Sequence, residues 1–356
     1  MAAARRARRG GFWSRFNALM SLALTAGALL LATALYVVFE ANRAGPSTEE
    51  KVVVVPRGAG INAIGRLLEA EGQIRNPLIF RVATYAYSQQ RVLKAGEYSI
   101  PAHASPRAII DMLASGSALA HSITVAEGLT SSAIVEILAR SDLLTGDVPE
   151  VPPEGSILPE TYNVERGADR SEVLRRMMEA RSQALQDAWA RRANGLPVRT
   201  PEEAVILASI VEKETGIAAE RPRVASVFVN RLKRGMRLES DPTIIYGVCR
   251  QHPERCVNGR LVNETTGLQR GIRQSEIALN TGYNTYQIPA LPPTPIANPG
   301  RASIEATLNP AHTNDIFFVA DGTGGHVFAT NVRDHNANVA RWRQVEREAA
   351  AAASNR

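Results

Sequence analysis

A run of 22 uncharged residues near the start of the chain constrains its fold and location more than any other feature. The run extends from Ala18 to Phe39. As a helix it would be about 33 Å long, enough to cross a hydrocarbon core of about 30 Å. Five arginines and no acidic residue precede it within the first fifteen positions. Because positive charge stays on the cytoplasmic side, we expect residues 1–17 to be cytoplasmic, 18–39 to span the membrane and the body to lie outside.

A cleaved signal peptide is the alternative to an uncleaved anchor. Ala32, Thr33 and Ala34 offer the small residues of a cleavage site. The apolar run continues to Phe39, beyond the length of a usual signal-peptide core, so we favour the anchor. The same arginines account for most of the net charge of +6 and leave a nearly neutral body. Such a body is a poor binder of phosphate backbones, so no nucleic-acid partner is expected.

The two cysteines, Cys249 and Cys256, flank a polar loop that contains a proline. In an oxidising compartment this arrangement favours a local disulfide. Two free thiols remain an alternative, and so does a zinc site completed by His252. The spacing fits no common zinc pattern, and we expect neither a metal nor another cofactor.

Patterning of the exported body predicts an α+β protein. The segment after the anchor is polar, and the next one contains imperfectly repeated strand–helix units at Lys51–Gly72 and Ile123–Leu138. Such units either bind an extended polymer or serve only as a spacer domain. We therefore expect a linker at 40–50, the strand–helix region at 51–140, the main domain at 141–345 and an alanine-rich tail at 346–356.

The most informative stretch is a helix predicted to begin at Thr200. Thr200-Pro-Glu-Glu203 has the composition of a helix cap, and Ala204–Val211 contains no charge. A helix that is apolar all round is buried. It ends in Glu212 and Glu214, which are about 200° apart around a helix axis and therefore cannot face one pocket.

Either glutamate could be half-buried in an apolar wall, where a carboxyl becomes a general acid because its charged form is disfavoured. We prefer Glu212 because its small neighbours Ala208 and Ser209 would leave room for a substrate. Glu214 is the alternative acid, and both could be ordinary charges at a helix end.

Later polar segments supply hydroxyl, amide and aromatic side chains beside a proline-rich loop, a composition that suits a sugar-binding cleft. A C-terminal hairpin is predicted at Ile316–Thr330. For His326 within it, and for the later His335, we favour a structural role over a catalytic one. The candidate substrate-binding residues are Ser209, Asn230, Asp241, Thr243, Tyr246, Tyr283, Asn284 and Tyr286.

Several longer motifs resemble those of the endolytic murein transglycosylase family (MltG, YceG-like). They are Ala208-Ser-Ile-Val-Glu-Lys-Glu-Thr215, Val224-Ala-Ser-Val-Phe-Val-Asn-Arg-Leu232, Gly235-Met-Arg-Leu238, Asp241-Pro-Thr-Ile-Ile-Tyr-Gly247, Tyr283-Asn-Thr-Tyr286, Leu291-Pro-Pro293, Pro295-Ile296, Phe318-Val-Ala-Asp-Gly322 and Gly324-Gly-His326. Thr294, where we expect glycine, and the cysteine-flanked insertion depart from the family pattern.

The resemblance implies a lyase anchored in the bacterial inner membrane, with a LysM-like strand–helix region and a YceG-like catalytic domain in the periplasm. Such an enzyme would cut nascent peptidoglycan strands between N-acetylmuramic acid and N-acetylglucosamine, leave 1,6-anhydro ends and terminate glycan elongation. Its partners would be the peptidoglycan synthases of elongation and division. The family's catalytic glutamate falls on Glu212.

Two other functions remain open. One is a hydrolase of the same polymer, with Asp241 or Glu239 as a second acid. The other is a non-catalytic scaffold of the cell wall or division machinery.

Overall fold

The computed structural model describes residues 4–87 and 92–354 of the chain. Residues 1–3 and 355–356, at the ends of the expected basic segment and tail, lie outside the described residues. The chain divides into two compact units, Met1–His121 with Val164–Gly167, and Ser122–Asn163 with Ala168–Arg356. The division at residue 121 differs from the boundary expected at 140, because the second strand–helix pair packs within the second unit.

The first unit contains the long N-terminal helix and a small α+β core. Its elements are α1 (Ala4–Asn42), β1 (Lys51–Val55), α2 (Ile61–Ala70), α3 (Pro77–Tyr87), β2 (Gly96–Ile100) and α4 (Pro106–Ser115). β1 and β2 are antiparallel, with Val53 opposite Tyr98. Both of these side chains are buried in the core. Within α1, Arg15–Asn42 is long and apolar enough to cross a membrane.

The segment that the sequence indicates to be a linker is packed against the first unit. The helix α1 continues to Asn42, and Ala41 has no exposed surface. The Gly45 N–H donates to the His103 carbonyl at 3.1 Å. A Cβ at Gly45 would lie 2.3 Å from the Ala104 carbonyl oxygen, so the two backbones touch. The membrane-compatible helix therefore enters the folded core without a free spacer.

The remaining elements build the second unit. Of these, β3 begins and β5 ends with a residue of the first unit, His121 and Val164. The remaining elements are β3 (His121–Thr124), α5 (Ser131–Arg140), β4 (Leu144–Thr145), β5 (Thr161–Val164), β6 (Ala168–Asp169), α6 (Arg170–Ala190), α7 (Pro201–Glu214), α8 (Arg221–Lys233), α9 (Asp241–Gln251), β7 (Cys256–Val257), β8 (Arg260–Leu261), α10 (Gln274–Ile277), α11 (Arg301–Leu308), β9 (Phe317–Ala320), β10 (His326–Ala329) and α12 (Val332–Ser354). Strands pair β3 with β5, β4 with β6, β7 with β8 and β9 with β10.

The helix α7 lies at the centre of the second unit, packed by α6, α8 and α11. Every residue from Ala204 to Val211 is buried, which confirms the prediction from its uncharged sequence. Thr200 caps the helix by accepting the Glu203 N–H at 3.1 Å. The Glu203 carboxylate in turn accepts the Arg199 N–H at 2.6 Å, so the start of α7 is held from both sides.

Three further features bear on the sequence predictions. The C-terminal hairpin is confirmed, since β9 and β10 are antiparallel with Phe318 opposite Phe328. The segment Gly235–Thr243, which its hydrogen-bonding side chains predict to be a polar loop, instead gives way to α9 at Asp241. The helix α12 crosses the expected tail boundary at residue 346. The mixed α and β content agrees with the predicted class, and the LysM-like character of the first unit stays a prediction.

Candidate active site

The end of α7 presents two carboxyl groups to different surroundings. The last buried residue of the helix is Val211, and Glu212 and Glu214 follow within its final turn. The side chain of Glu212 is only 5% exposed. Its Oε2 accepts the Gly300 N–H at 2.9 Å. A buried carboxylate held by a backbone donor is positioned rather than free to rotate.

An arginine shared by two carboxylates lies beside Glu212. The Arg221 Nη2 is 3.6 Å from Glu212 Oε1 and 2.8 Å from Glu127 Oε2. The shorter distance assigns the main ion pair to Glu127. Arg221 Nε is buried without a hydrogen-bond partner. The arginine therefore supplies positive charge near Glu212 without enclosing its carboxylate in a bidentate pair.

Two glycines, Gly128 and Gly300, let the main chain approach the Glu212 and Glu127 side chains closely. A Cβ at Gly128 would lie 3.5 Å from Glu212 Cγ, and one at Gly300 would lie 1.9 Å from Glu127 Oε1. The room expected beside Ala208 and Ser209 is absent, because neither residue has any exposed surface. That part of the sequence argument is wrong: close packing of α7 leaves no space on its own face.

Glu214 lies in an interior polar network. Its Oε1 accepts the Ser240 hydroxyl at 2.5 Å. Burial raises the pKa of the Glu214 carboxyl to about 7, the Ser240 hydrogen bond opposes the rise, and the charge of Asp241 adds to it. The raised pKa that the sequence argument required of an acid thus occurs at Glu214, the alternative candidate.

Four of the candidate substrate-binding side chains hold the protein's own backbone. Ser209 donates to the Ile206 carbonyl and accepts the Ile296 N–H. Thr243 donates to the Ser240 carbonyl at 2.6 Å. Asn230 donates to the carbonyls of residues 313 and 315, and Asn284 to those of residues 276, 277 and 279. These contacts fix loops and leave little capacity for a ligand.

Tyr246 and Tyr283 belong to a second cluster, built around a buried carboxyl that the sequence argument missed. Glu154 accepts the Ser131 N–H at 2.6 Å, the Asn298 amide at 3.1 Å and the Tyr246 hydroxyl at 3.2 Å. Burial raises the pKa of Glu154 despite these bonds. The Tyr283 ring packs edge-on against Tyr246, with centroids 5.0 Å apart. Only the turn composition Pro-Glu-Gly marked this position in the sequence.

One segment, residues 296–300, connects α7, Glu154 and Glu212. The Ile296 N–H donates to Ser209 on α7. The Asn298 side chain donates to Glu154, and its carbonyl accepts the Gly128 N–H at 3.0 Å. Two residues later the Gly300 N–H donates to Glu212. The segment therefore fixes the two buried carboxyls relative to each other.

Asp241 and Tyr286 lie in the Glu214 neighbourhood and not in contact with the residues around Glu212. The Tyr286 hydroxyl donates to Asp241 Oδ1 at 2.8 Å, and burial raises the pKa of that hydroxyl. Glu239 pairs with the buried Arg231 at 3.0 Å. These two acidic residues, considered for a hydrolase, are thus engaged on the other side of the α7 end.

The cysteines and histidines have structural partners. Cys249 and Cys256 form a disulfide at the end of α9. His326 pairs with Glu220 at 2.8 Å, and His335 stacks on Phe317. Within residues 4–87 and 92–354, no group of three or more histidine, cysteine or acidic side chains is placed to hold a metal ion.

Comparison with known proteins places this arrangement in a family. The model of the YceG-like family matches residues 53–341. The chain belongs to the YceG-like family. The match begins beyond α1 and includes Glu127, Glu154, Glu212 and the 296–300 segment.

Curated relatives of this YceG-like chain are named endolytic murein transglycosylases. The protein of Bacillus subtilis is 27% identical over 79% of this chain and 82% of its own length. The protein of Streptococcus pneumoniae is 26% identical over 81% of this chain and 57% of its own length, so the match spans little more than half of it. A YceG-like protein of Listeria monocytogenes, known from a crystal structure, is 25% identical with a TM-score of 0.46, over 82% of this chain and 99% of its own.

Proposed function

We propose that this YceG-like protein is an endolytic murein transglycosylase that cuts the bond between N-acetylmuramic acid and N-acetylglucosamine within peptidoglycan strands. The family match and the names of the relatives support the reaction class. The observation that carries the assignment of the site is Glu212: a carboxyl at the end of the central helix whose side chain is only 5% exposed, held by the Gly300 N–H and 3.6 Å from Arg221 Nη2.

One carboxyl is sufficient for this reaction. Glu212 donates its proton to the glycosidic oxygen as the bond to C1 of the muramic acid breaks. The resulting carboxylate takes the proton of the C6 hydroxyl of the same sugar, and the C6 oxygen bonds to C1. No water is consumed, and the product ends in a 1,6-anhydro ring. Because the attacking hydroxyl is in the same sugar, its effective concentration is high and no second carboxylate has to activate water.

The groups around Glu212 support both halves of this cycle. The Gly300 N–H holds Oε2 at 2.9 Å and leaves Oε1 to face the reacting oxygens. Arg221, 3.6 Å from Oε1, stabilises negative charge when the carboxyl has lost its proton. Glu127 pairs with the same arginine at 2.8 Å, so the arginine is shared between two carboxylates.

We assign Glu214 a structural role. Its carboxyl is satisfied by Ser240, itself fully buried, and its burial disfavours the charged form. Glu154 is assigned to positioning: it orients Tyr246 and, through Asn298, the segment that holds Glu212. Tyr246 and Tyr283 then offer ring faces and hydroxyls to the sugars.

A hydrolase that uses Asp241 or Glu239 as its second acid is disfavoured by the placement of these two residues. An inverting or retaining hydrolase needs a second carboxylate across the scissile bond from the first. Asp241 and Glu239 are engaged with Tyr286 and Arg231 in the Glu214 neighbourhood. They are therefore poor candidates for that second role.

We further propose that α1 anchors the protein in the inner membrane with its N-terminus in the cytoplasm and its body in the periplasm. The apolar length of α1 and the arginines before it support this orientation. An anchored transglycosylase meets glycan strands where they emerge from the membrane. It would thus terminate their elongation and act beside the peptidoglycan synthases.

The test is digestion of purified peptidoglycan by the full chain in detergent, with products analysed by mass spectrometry. We expect anhydro-muropeptides from the wild type and from Glu214→Gln, and none from Glu212→Gln. Reducing ends, heavier by one water, would make the protein a hydrolase. Activity that survives Glu212→Gln and is lost in Glu214→Gln would reverse the assignment of the acid. Absence of products from all three, with strand binding retained, would favour a scaffold.

A further inference from the structure

The helix α3 carries an apolar face that is exposed in the part of the first unit that the structure describes. Leu78, Val82 and Tyr85 are 53%, 42% and 72% exposed and recur at a spacing of four and three residues. The opposite face, with Phe80 and Ala83, is fully buried in the core. Three adjacent large apolar side chains on one helix face mark an interaction surface rather than scattered exposure.

This α3 face lies next to the end of the membrane-compatible helix. Near the start of α3, Ile79 lines a small crevice together with Glu40 of α1. At its other end, Tyr87 is covered by the Arg107 guanidinium, 4.8 Å from the ring centre. The same arginine reaches the Asn42 side chain at 3.4 Å. Both ends of α3 are therefore linked to residues 40–42, and α3 crosses the C-terminal end of α1.

The apolar span lies close to this face because no spacer separates α1 from the folded core. The uncharged run ends at Phe39, and Ala41 is already buried in the core. Two residues of helix rise about 3 Å. If α1 crosses a bilayer, the first unit must therefore rest on its surface, and α3 is the element beside the crossing point.

The edges of the face have the composition of a membrane interface. Arg75 and Arg107 are exposed at its edges, and Arg81 is half-buried. Arginines next to a tyrosine and aliphatic side chains suit the boundary between lipid phosphates and acyl chains. A protein partner would need a complementary patch brought to the same place, whereas the bilayer is already there.

We propose that the α3 face of Leu78, Val82 and Tyr85 lies in the headgroup region of the bilayer that holds α1, so that the first unit is bound to lipid at two places. This inference rests on the proposed anchoring by α1 and is independent of the catalytic assignment. It assigns the face to phospholipid rather than to the cell wall or to another protein.

The experiment uses the full chain in vesicles of phosphatidylcholine and phosphatidylglycerol. Val82→Cys adds one reactive thiol, because both native cysteines are in the disulfide. It is labelled with an environment-sensitive fluorophore, and quenching is measured with lipids that carry a spin label near the headgroup. Val54→Cys, at an equally exposed apolar position on β1, is the matched control.

We expect the label at position 82 to be quenched at least about twofold more strongly than the label at position 54, with emission shifted to the blue. Equal quenching and emission at the two positions in an inserted chain would overturn the inference. A blue shift without lipid quenching would also overturn it and would point to a protein cover. A chain that alkaline washing removes from the vesicles would overturn the anchor and this inference together, while leaving the glycan-cutting assay unaffected.

Discussion

Replacing Glu214 with glutamine should change how the stability of the protein depends on pH. Burial raises the pKa of this carboxyl from 4.5 to about 7. Between these values the folded protein keeps a proton that the unfolded chain releases, so the free energy of unfolding falls as pH rises through this window. It stays at the lower value above pH 7. At 1.36 kcal/mol per pKa unit, the loss is about 3 kcal/mol.

Glu214→Gln removes this loss because the amide has the shape of the protonated acid and its oxygen can still accept the Ser240 hydroxyl. Wild type and variant should therefore be similar at pH 4.5 and diverge as pH rises. For a domain of about 150–250 residues, 3 kcal/mol corresponds to a difference of about 6–12 °C in melting temperature.

Circular dichroism melting curves of the full chain in detergent, recorded between pH 4.5 and pH 8, measure this difference. Glu346→Gln, an exposed glutamate on α12, controls for the loss of one charge. Parallel melting curves for wild type and Glu214→Gln across the range would refute the reasoning, and so would an equal effect of Glu346→Gln. Either result would mean that the Glu214 carboxyl is hydrated in the folded protein.

Three other changes test the surroundings of the site. Gly300→Ala should abolish most glycan cleavage, because its Cβ would lie 1.9 Å from Glu127 Oε1 and would displace Glu127 from its ion pair with Arg221. The control Gly271→Ala has open space around its Cβ and should cut glycan at the wild-type rate. Tyr246→Phe should lower the free energy of unfolding by about 1 kcal/mol in a thermal melt, because Glu154 loses a hydrogen-bond donor. The variant should still fold, and its kcat should be lower than that of the wild type. Replacing both cysteines with serine should cost about 2–3 kcal/mol from chain entropy, and a reductant should destabilise only the wild type.

The sequence was informative where the determinants are local. The burial of α7 follows from eight consecutive uncharged residues, and its start from the Thr200 cap, so both could be predicted without a fold. The hairpin around the glycines near residue 324 was predictable for the same reason. Even α9, whose start was missed, had a local signal in Pro242, a residue favoured in the first turn of a helix.

What the sequence did not predict depends on contacts between distant residues. Glu154 becomes a buried carboxyl only because Tyr246 and Asn298, 92 and 144 residues away, close around it. The main chain that packs beside Glu212 belongs to Gly128 and Gly300, which are 84 and 88 residues away along the chain. The placement of Ala208 and Ser209 on the same helix face could not show that other elements fill that side. The different surroundings of the two glutamates have the same origin.

The glycines beside Glu212 also bear on inhibition and resistance. A compound that reaches this carboxylate would meet main-chain groups of residues 128 and 300 as well as the Arg221 side chain. A resistance mutation at either position would have to add a Cβ. At Gly300 that atom collides with Glu127, and at Gly128 the backbone φ of +75° disfavours any other residue. Substitution at these two positions of the proposed site is thus opposed by packing at one and by backbone conformation at the other.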